Sequence, residues 1–270
     1  LSALRGDNLL ERSDSMPWYR GPSLLEHLES APLGDNRASQ APFRLPVQWV
    51  NRPNLDFRGY AGNVAAGGIR VGDSIRVLPA GKQSRVTGIL GMAGEQQEAL
   101  CGQAVTLTLA DEIDISRGDL LTLADAPAEV ADQFEATLVW MGEEPMLPGR
   151  PYLMKIGCRT LGMSCATLKH KVNVNSLEHL AAKTLELNEI GVGNLSLDLP
   201  IPFDAYADNR DTGGFIVIDR LSNQTVGAGM LHFALRRAQN VHWQAIDVDG
   251  AARAALKGQT PRMLWFTGLS

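Results

Sequence analysis

Cys158, Cys165, His170 and His179 are the residues here that most readily suggest chemistry, because thiolate and imidazole are the ligands zinc prefers. Their spacing argues against a structural zinc site. Six, four and eight residues intervene between successive members, where such sites use short Cys-x-x-Cys pairs. If 158–165 is one unbroken strand, alternation also sends the two thiols to opposite faces. No metal site is expected, and these residues read as structural.

Nucleophilic catalysis has equally little support. No G-x-S-x-G elbow occurs, and His27, His170, His179, His232 and His242 have no partner evident from spacing. Lys169-His170-Lys171 reads as a solvated strand face, with a nucleic-acid patch as the weaker reading. No catalytic residue is assigned.

Phosphate chemistry is more informative. The chain contains no G-x-x-x-x-G-K-[ST]: Gly81-Lys82 lacks the first glycine and is followed by Gln83. Asp-x-x-Gly occurs at Asp56–Gly59, Asp211–Gly214 and Asp247–Gly250, three matches to a two-letter pattern that turns explain equally well. No Asn-Lys-x-Asp is present. A working GTPase needs amides and a lysine around the phosphates, with a Ser/Thr for magnesium. This sequence does not supply that set. Its last residues nevertheless run Met263-Leu264-Trp265-Phe266 into Gly268-Leu269-Ser270, the pattern of a buried strand entering a glycine loop.

Local patterns indicate how such residues are positioned. In "GPSLLEHLES", Ser23 and Glu26 make a capping box, followed by Leu24, Leu25 and Leu28 on one helical face. Residues 31–42 read as a linker rich in Pro, Gly, Ser, Asn and Asp. From Phe43 to about Ala126 short strands alternate with turns. Ile69/Val71 and Ile75/Val77 flank Gly72-Asp73 as a hairpin, Pro79–Lys82 makes a second turn, and Gly118-Asp119 separates "IDIS" from "LLTL". Residues 125–133 read as a connector. A second β region follows in "FEATLVWM", "RPYLMKIGC", "CATLKHKVNV", "NLSLDLPIPF" and "GGFIVIDRL", with a helical turn over 176–184. Asp249 caps a short alanine-rich helix before the final strand.

The 270 residues are 44% hydrophobic and 20% charged, which suits a soluble globular chain of about two domains. A net charge of −5 argues mildly against a large nucleic-acid surface. No run of about 18 apolar residues suggests a membrane span, and the first residues lack a signal-peptide pattern. Three cysteines in a chain this long point to the reducing cytoplasm.

"LSALRGDNLL" with "MPWYRGPSLLEHLE" resembles the last strand and helix of the GTPase domain in the large subunit of bacterial ATP sulfurylase. That family is similar to elongation factors of the Tu/1-alpha type, a GTPase domain followed by two β-barrels. "NRPNLDFRGYAGNVAAGGIRVGDSIRVLPAGKQSRVTGI" resembles its second domain, and "NRDTGGF" with "IVIDRLSNQTVGAGM" resembles the closing strands of its third. "HWQAIDVDGAARAALKGQTPRMLWFTGLS" looks like the entry to adenylylsulfate (APS) kinase, which some members carry fused behind the third domain.

The resemblance implies a mainly β chain, two elongation-factor-like barrels with short helical or α/β stubs at both ends. It implies the end of a GTPase domain over 1–33, barrels over 40–127 and 134–238, and the start of the kinase over 241–270. The parent would couple GTP hydrolysis to synthesis of adenylyl sulfate from ATP and sulfate, and would phosphorylate that product. GTP, ATP and Mg²⁺ are implied for the parent, and no cofactor for this segment. Ser2, Ala3 and Leu4 match the element that faces guanine, and Gly268, Leu269 and Ser270 match the opening of the kinase's phosphate loop. The implied partner is the small adenylyl-transfer subunit, with no nucleic acid and no membrane. A translation-factor fragment whose barrels hold RNA, or an interaction module with no enzymatic parent, are the competing readings. The segment alone is expected to be inactive, with Leu24, Leu25 and Leu28 left as an apolar patch.

Overall fold

A computed structural model describes residues 1–31, 37–54, 57–235 and 258. Residues 1–235 form one compact unit. The expected Asp249-capped helix, the strand at 263–266 and the loop residues Gly268, Leu269 and Ser270 lie outside the described residues.

The N-terminal segment carries helix α1 (Leu24–Ser30), opened by the capping box: Ser23 Oγ accepts from Glu26 N–H, and the Glu26 carboxylate accepts from Ser23 N–H. The first amides of α1 also bond outward, Leu24 N to Asn8 O and Leu25 N to Leu9 O. Its apolar face is open, with Leu28 60% exposed. Part of the expected linker is a second helical turn, α2 (Arg37–Gln40), tied down by Gly67 N–H donating to Ala38 O.

Ten short strands build the first barrel: β1 (Arg44–Pro46), β2 (Trp49–Asn51), β3 (Gly59–Asn63), β4 (Gly68–Arg70), β5 (Ser74–Leu78), β6 (Lys82–Gly91), β7 (Gly94–Gln96), β8 (Glu98–Leu100), β9 (Ala104–Leu109) and β10 (Leu120–Leu123). The order β1-β10-β5-β6-β9-β3-β2 closes because β1 and β2 are successive parts of one bent segment. Phe43, Leu45, Tyr60, Ile75, Val77 and Leu107 fill the interior.

The Gly72-Asp73 turn forms, with Gly72 at φ +97° and Asp73 bonding back to Arg70, but it does not join a hairpin. β4 pairs with β8, whereas β5 pairs with β10 and β6. Val86 of β6 bonds to both Gly72 and Asp73, so the turn's own backbone groups are used to bend the chain around a barrel corner. The turn at 79–82 does reverse the chain, pairing Val77 with Lys82. "IDIS" is irregular rather than a strand.

The second barrel comprises β11 (Glu129–Trp140), β12 (Pro151–Ile156), β13 (Arg159–Val172), β14 (His179–Leu180), β15 (Ile190–Phe203), helical turn α3 (Arg210–Gly213), β16 (Gly214–Ile218) and β17 (Thr225–Ala234). Six strands close in the order β12-β16-β17-β11-β15-β13, with β14 appended to β13. Strict alternation along β11 turns Phe134, Ala136, Leu138 and Trp140 inward. Phe134 meets Phe203 edge-on at 4.7 Å between centroids.

Two local expectations are corrected here. β11 starts at Glu129, inside the expected connector, because Glu129–Ala131 pair with the end of β15, beyond a register shift in which residues 197–200 of β15 stand opposite Asp132 alone. No helical turn covers 176–184. Asn173 Oδ1 accepts from Asn175 and Ser176, Leu177 takes φ +60°, and the chain reverses into β14.

Candidate functional site

The strongest concentration of buried charge lies where the two barrels meet. Arg44, on β1, is 5% exposed and reaches Asp204, just past the end of β15. Arg44 Nε donates to Asp204 Oδ2 at 2.9 Å and Nη2 to Oδ1 at 2.9 Å, a two-pronged pair whose geometry only guanidinium provides. Nη1 donates to the carbonyls of Phe43 (3.0 Å) and Ala126 (2.9 Å), which ties the connector between barrels to the same side chain. Thr212 of α3 completes Asp204, its hydroxyl donating to Oδ2 at 2.8 Å.

A second pair lies beside it. Arg159 Nη2, from the second barrel, donates to Asp119 Oδ1 of the first at 2.9 Å. Asp119 Oδ2 accepts Ser116 N–H at 2.8 Å, so both oxygens are occupied. Gly118 makes the approach possible: it sits at φ +94°, and a Cβ there would lie 2.5 Å from Arg159 Cγ. Between the pairs, Pro46, Leu120, Ile156, Cys158 and Ile201 line a narrow cleft. Leu78, Leu120 and Ala128 form a small apolar cluster apart from either barrel's core. Paired charges with fixed hydrogen bonds set one register between the barrels, and the apolar contacts supply the adhesion. Chemically this is a joint: the carboxylates of Asp204 and Asp119 are both taken up by ion pairs and hydrogen bonds.

The residues singled out from sequence take other places. Ser2 N–H donates to Asp7 O, Ser2 O accepts from Gly6 N–H, and Ser2 Oγ accepts from Arg5 N–H. Ala3 and Leu4 are exposed. The described residues therefore assemble no phosphate cradle or magnesium ligand set. Cys165 points into the second barrel, where burial pushes its thiol up to about 11. Cys158 lies in the β12–β13 turn, and His170 stacks on His179 at 3.8 Å on the outer surface. Burial first, then His179, holds His170 below its ordinary 6.5. Among the described residues no three His, Cys, Asp or Glu side chains come together as a metal site.

One polar group was not visible in the spacing. His232 is the extra residue of a bulge in β17 and reaches both Thr137 Oγ1 (Nε2, 2.9 Å) and Glu135 Oε1 (Nδ1, 3.3 Å). Lys169 holds the other Glu135 oxygen. Hydrogen bonding from Lys169, with His232 next among the lowering causes, keeps the Glu135 carboxyl below its ordinary range. The group lies on the outer face of the sheet and outside the described cavities, so it acts as a cross-strand polar ladder. Periodicity on β11 could have placed Glu135 and Thr137 on one face. It could not have supplied the histidine from the bulge.

Residues 133–232 match a family model described as GTP-eEF1A C-terminal domain-like. Across all 270 residues the chain is 55% identical to the bifunctional enzyme CysN/CysC of Xylella fastidiosa, covering 43% of that protein. It is 51% identical to the bifunctional enzyme NodQ of a Rhizobium species, covering 42%. The chain is a homologue of these enzymes along its full length. It spans less than half the length of either. Sulfate adenylyltransferase subunit 1 of Aeromonas salmonicida is 49% identical over 96% of this chain and 51% of its own. Among solved structures, sup35 complexed with GDP superposes with a TM-score of 0.68 at 27% identity, over 87% of this chain and 58% of that one. The mainly β, elongation-factor-like architecture read from the sequence is the one observed. Among the described residues no helix is long and apolar enough to cross a membrane.

Proposed function

We propose that this chain is the barrel portion of the large subunit of a sulfate adenylyltransferase, in the form fused to an APS kinase. The whole protein would couple GTP hydrolysis to formation of adenylyl sulfate from ATP and sulfate, with adenylyl transfer on a separate small subunit. It would then phosphorylate adenylyl sulfate with ATP. The observation that carries this reading is 55% identity with a CysN/CysC enzyme over every residue of the chain.

The two barrels serve as coupling domains. GTPases of this architecture work by releasing and re-docking the domains behind the nucleotide site. A rigid joint is what such transmission needs, and Arg44–Asp204 with Arg159–Asp119 supplies one. GTP, ATP and Mg²⁺ belong to the parent. Ser2–Leu4 would face guanine there, and Gly268–Ser270 would open the kinase's phosphate loop. The partner is the small adenylyl-transfer subunit, and the cytoplasm, where unpaired cysteines stay reduced, is the place of action.

The RNA-binding reading is opposed by charge: residues 134–235 carry eight Lys and Arg against eleven Asp and Glu. The test is reconstitution. The full-length large subunit should co-elute with the small subunit and make adenylyl sulfate formation depend on GTP. Adenylyl sulfate production indifferent to the large subunit would refute the proposal.

A further inference from the structure

One hollow of the second barrel is unused by the joint. It lies between the segment after β11 (141–144) and the β16–β17 turn, with a volume of about 540 Å³. Trp140 and Tyr152 form part of its wall, edge to face at 5.4 Å, and Trp140 Nε1–H donates to Glu144 O at 2.7 Å. The wall is therefore built, and its shape does not depend on an occupant.

The charges decide what fits. Arg150 is the cation lining the hollow, and it is committed: Nη2 donates to Asp219 Oδ1 at 2.8 Å, Nη1 to Glu144 Oε2 at 3.1 Å, and its guanidinium lies 5.4 Å from the Tyr152 ring centre. Asp219 Oδ2 is filled by the amides of Leu221 and Ser222 and the Ser222 hydroxyl. Glu143 is exposed with no ion pair among the described residues, and the Glu144 side chain is 81% exposed, with Oε2 rather than Oε1 on Arg150. Three carboxylates against one neutralised guanidinium repel phosphate, sulfate and nucleic acid. Leu221 (88% exposed) and Met141 (44% exposed) add apolar area at the rim, which interfaces use and small hydrated cations do not need.

We infer that this groove docks a partner protein through a segment that presents Lys or Arg flanked by apolar residues. The occupant is the small adenylyl-transfer subunit, an assignment that rests on the functional reading above. Its cation would approach Glu143 and the free oxygen of Glu144, while its apolar neighbours cover Leu221 and Met141. Arg220, next door on the same turn, is exposed and not among the lining residues.

The test compares binding of the purified small subunit to the full-length large subunit and to three variants, at low and high salt. Glu143→Arg and Leu221→Asp change exposed side chains that hold nothing else in place, so the fold should survive. Glu95→Arg, on the first barrel, is the control. The inference predicts that Glu143→Arg and Leu221→Asp each weaken binding about tenfold or more. It also predicts that salt weakens the wild-type complex, and that Glu95→Arg binds normally. If the wild type binds and both groove variants bind equally well, the groove assignment is wrong while the subunit reading stands. If the wild type does not bind, both fail together.

Discussion

Replacing Arg44 by Met tests the joint quantitatively. The substitution keeps an unbranched chain along the seam and removes every donor that reaches Asp204 from the first barrel. Asp204, whose side chain is 18% exposed with Arg44 in place, then keeps the Thr212 hydroxyl as its remaining side-chain donor. Breaking one side of a buried pair costs about 3–5 kcal/mol, and Asp204's partial exposure and retained hydroxyl put Arg44→Met near the lower end, about 3 kcal/mol. Phe43 O and Ala126 O lose their donor as well. Asp204→Asn, which keeps the volume and one acceptor, should cost about 2 kcal/mol. The double variant leaves no unpaired charge, so its loss should fall short of the sum by about 1–3 kcal/mol. Urea denaturation followed by circular dichroism gives all four values, and calorimetry shows whether the barrels still unfold together. Arg44→Met should split one transition into two. A loss below about 0.5 kcal/mol, or a strictly additive double variant, would refute the reasoning.

Two further outcomes follow from the titrating groups. Glu135 has a folded-state pKa below its ordinary 4.5, chiefly through Lys169, so its stabilisation is present above that value and disappears as pH falls through the lower folded value. Glu135→Gln should therefore lose stability more gradually than wild type in urea titrations below pH 4.5, and an unchanged slope would exclude the ladder as the cause. Cys101 and Cys158 are half-buried, whereas Cys165 is inside the barrel with its thiol raised to about 11. A thiol-reactive disulfide at mild alkaline pH should label the first two quickly and Cys165 only as the protein unfolds. Rapid labelling of all three would contradict the barrel packing.

Features built from neighbours in the chain were legible. The Ser23/Glu26 capping box, the turn at 79–82 and the alternation of β11 all follow from residues within a few positions of each other. Gly72-Asp73 shows the limit: the turn was readable, but its strands' partners were set by barrel closure. The 173–180 hairpin was missed because it depends on an Asn side chain capping two amides and on Leu177 adopting positive φ, neither of which apolar periodicity records. The joint was not legible either. Arg44 and Asp204 stand 160 positions apart, and each alone looks like an ordinary surface charge. The family resemblance gave the mainly β, elongation-factor-like architecture, while the joint and the acidic groove became visible only once the strands were placed.

The central claim is that the barrels transmit nucleotide state through a rigid joint. The direct measurement is GTP hydrolysis and GTP-stimulated adenylyl sulfate formation, followed side by side in the reconstituted two-subunit enzyme carrying Arg44→Met. The account predicts that hydrolysis continues while stimulation of adenylyl sulfate formation is largely lost. Full stimulation with the joint broken would contradict it.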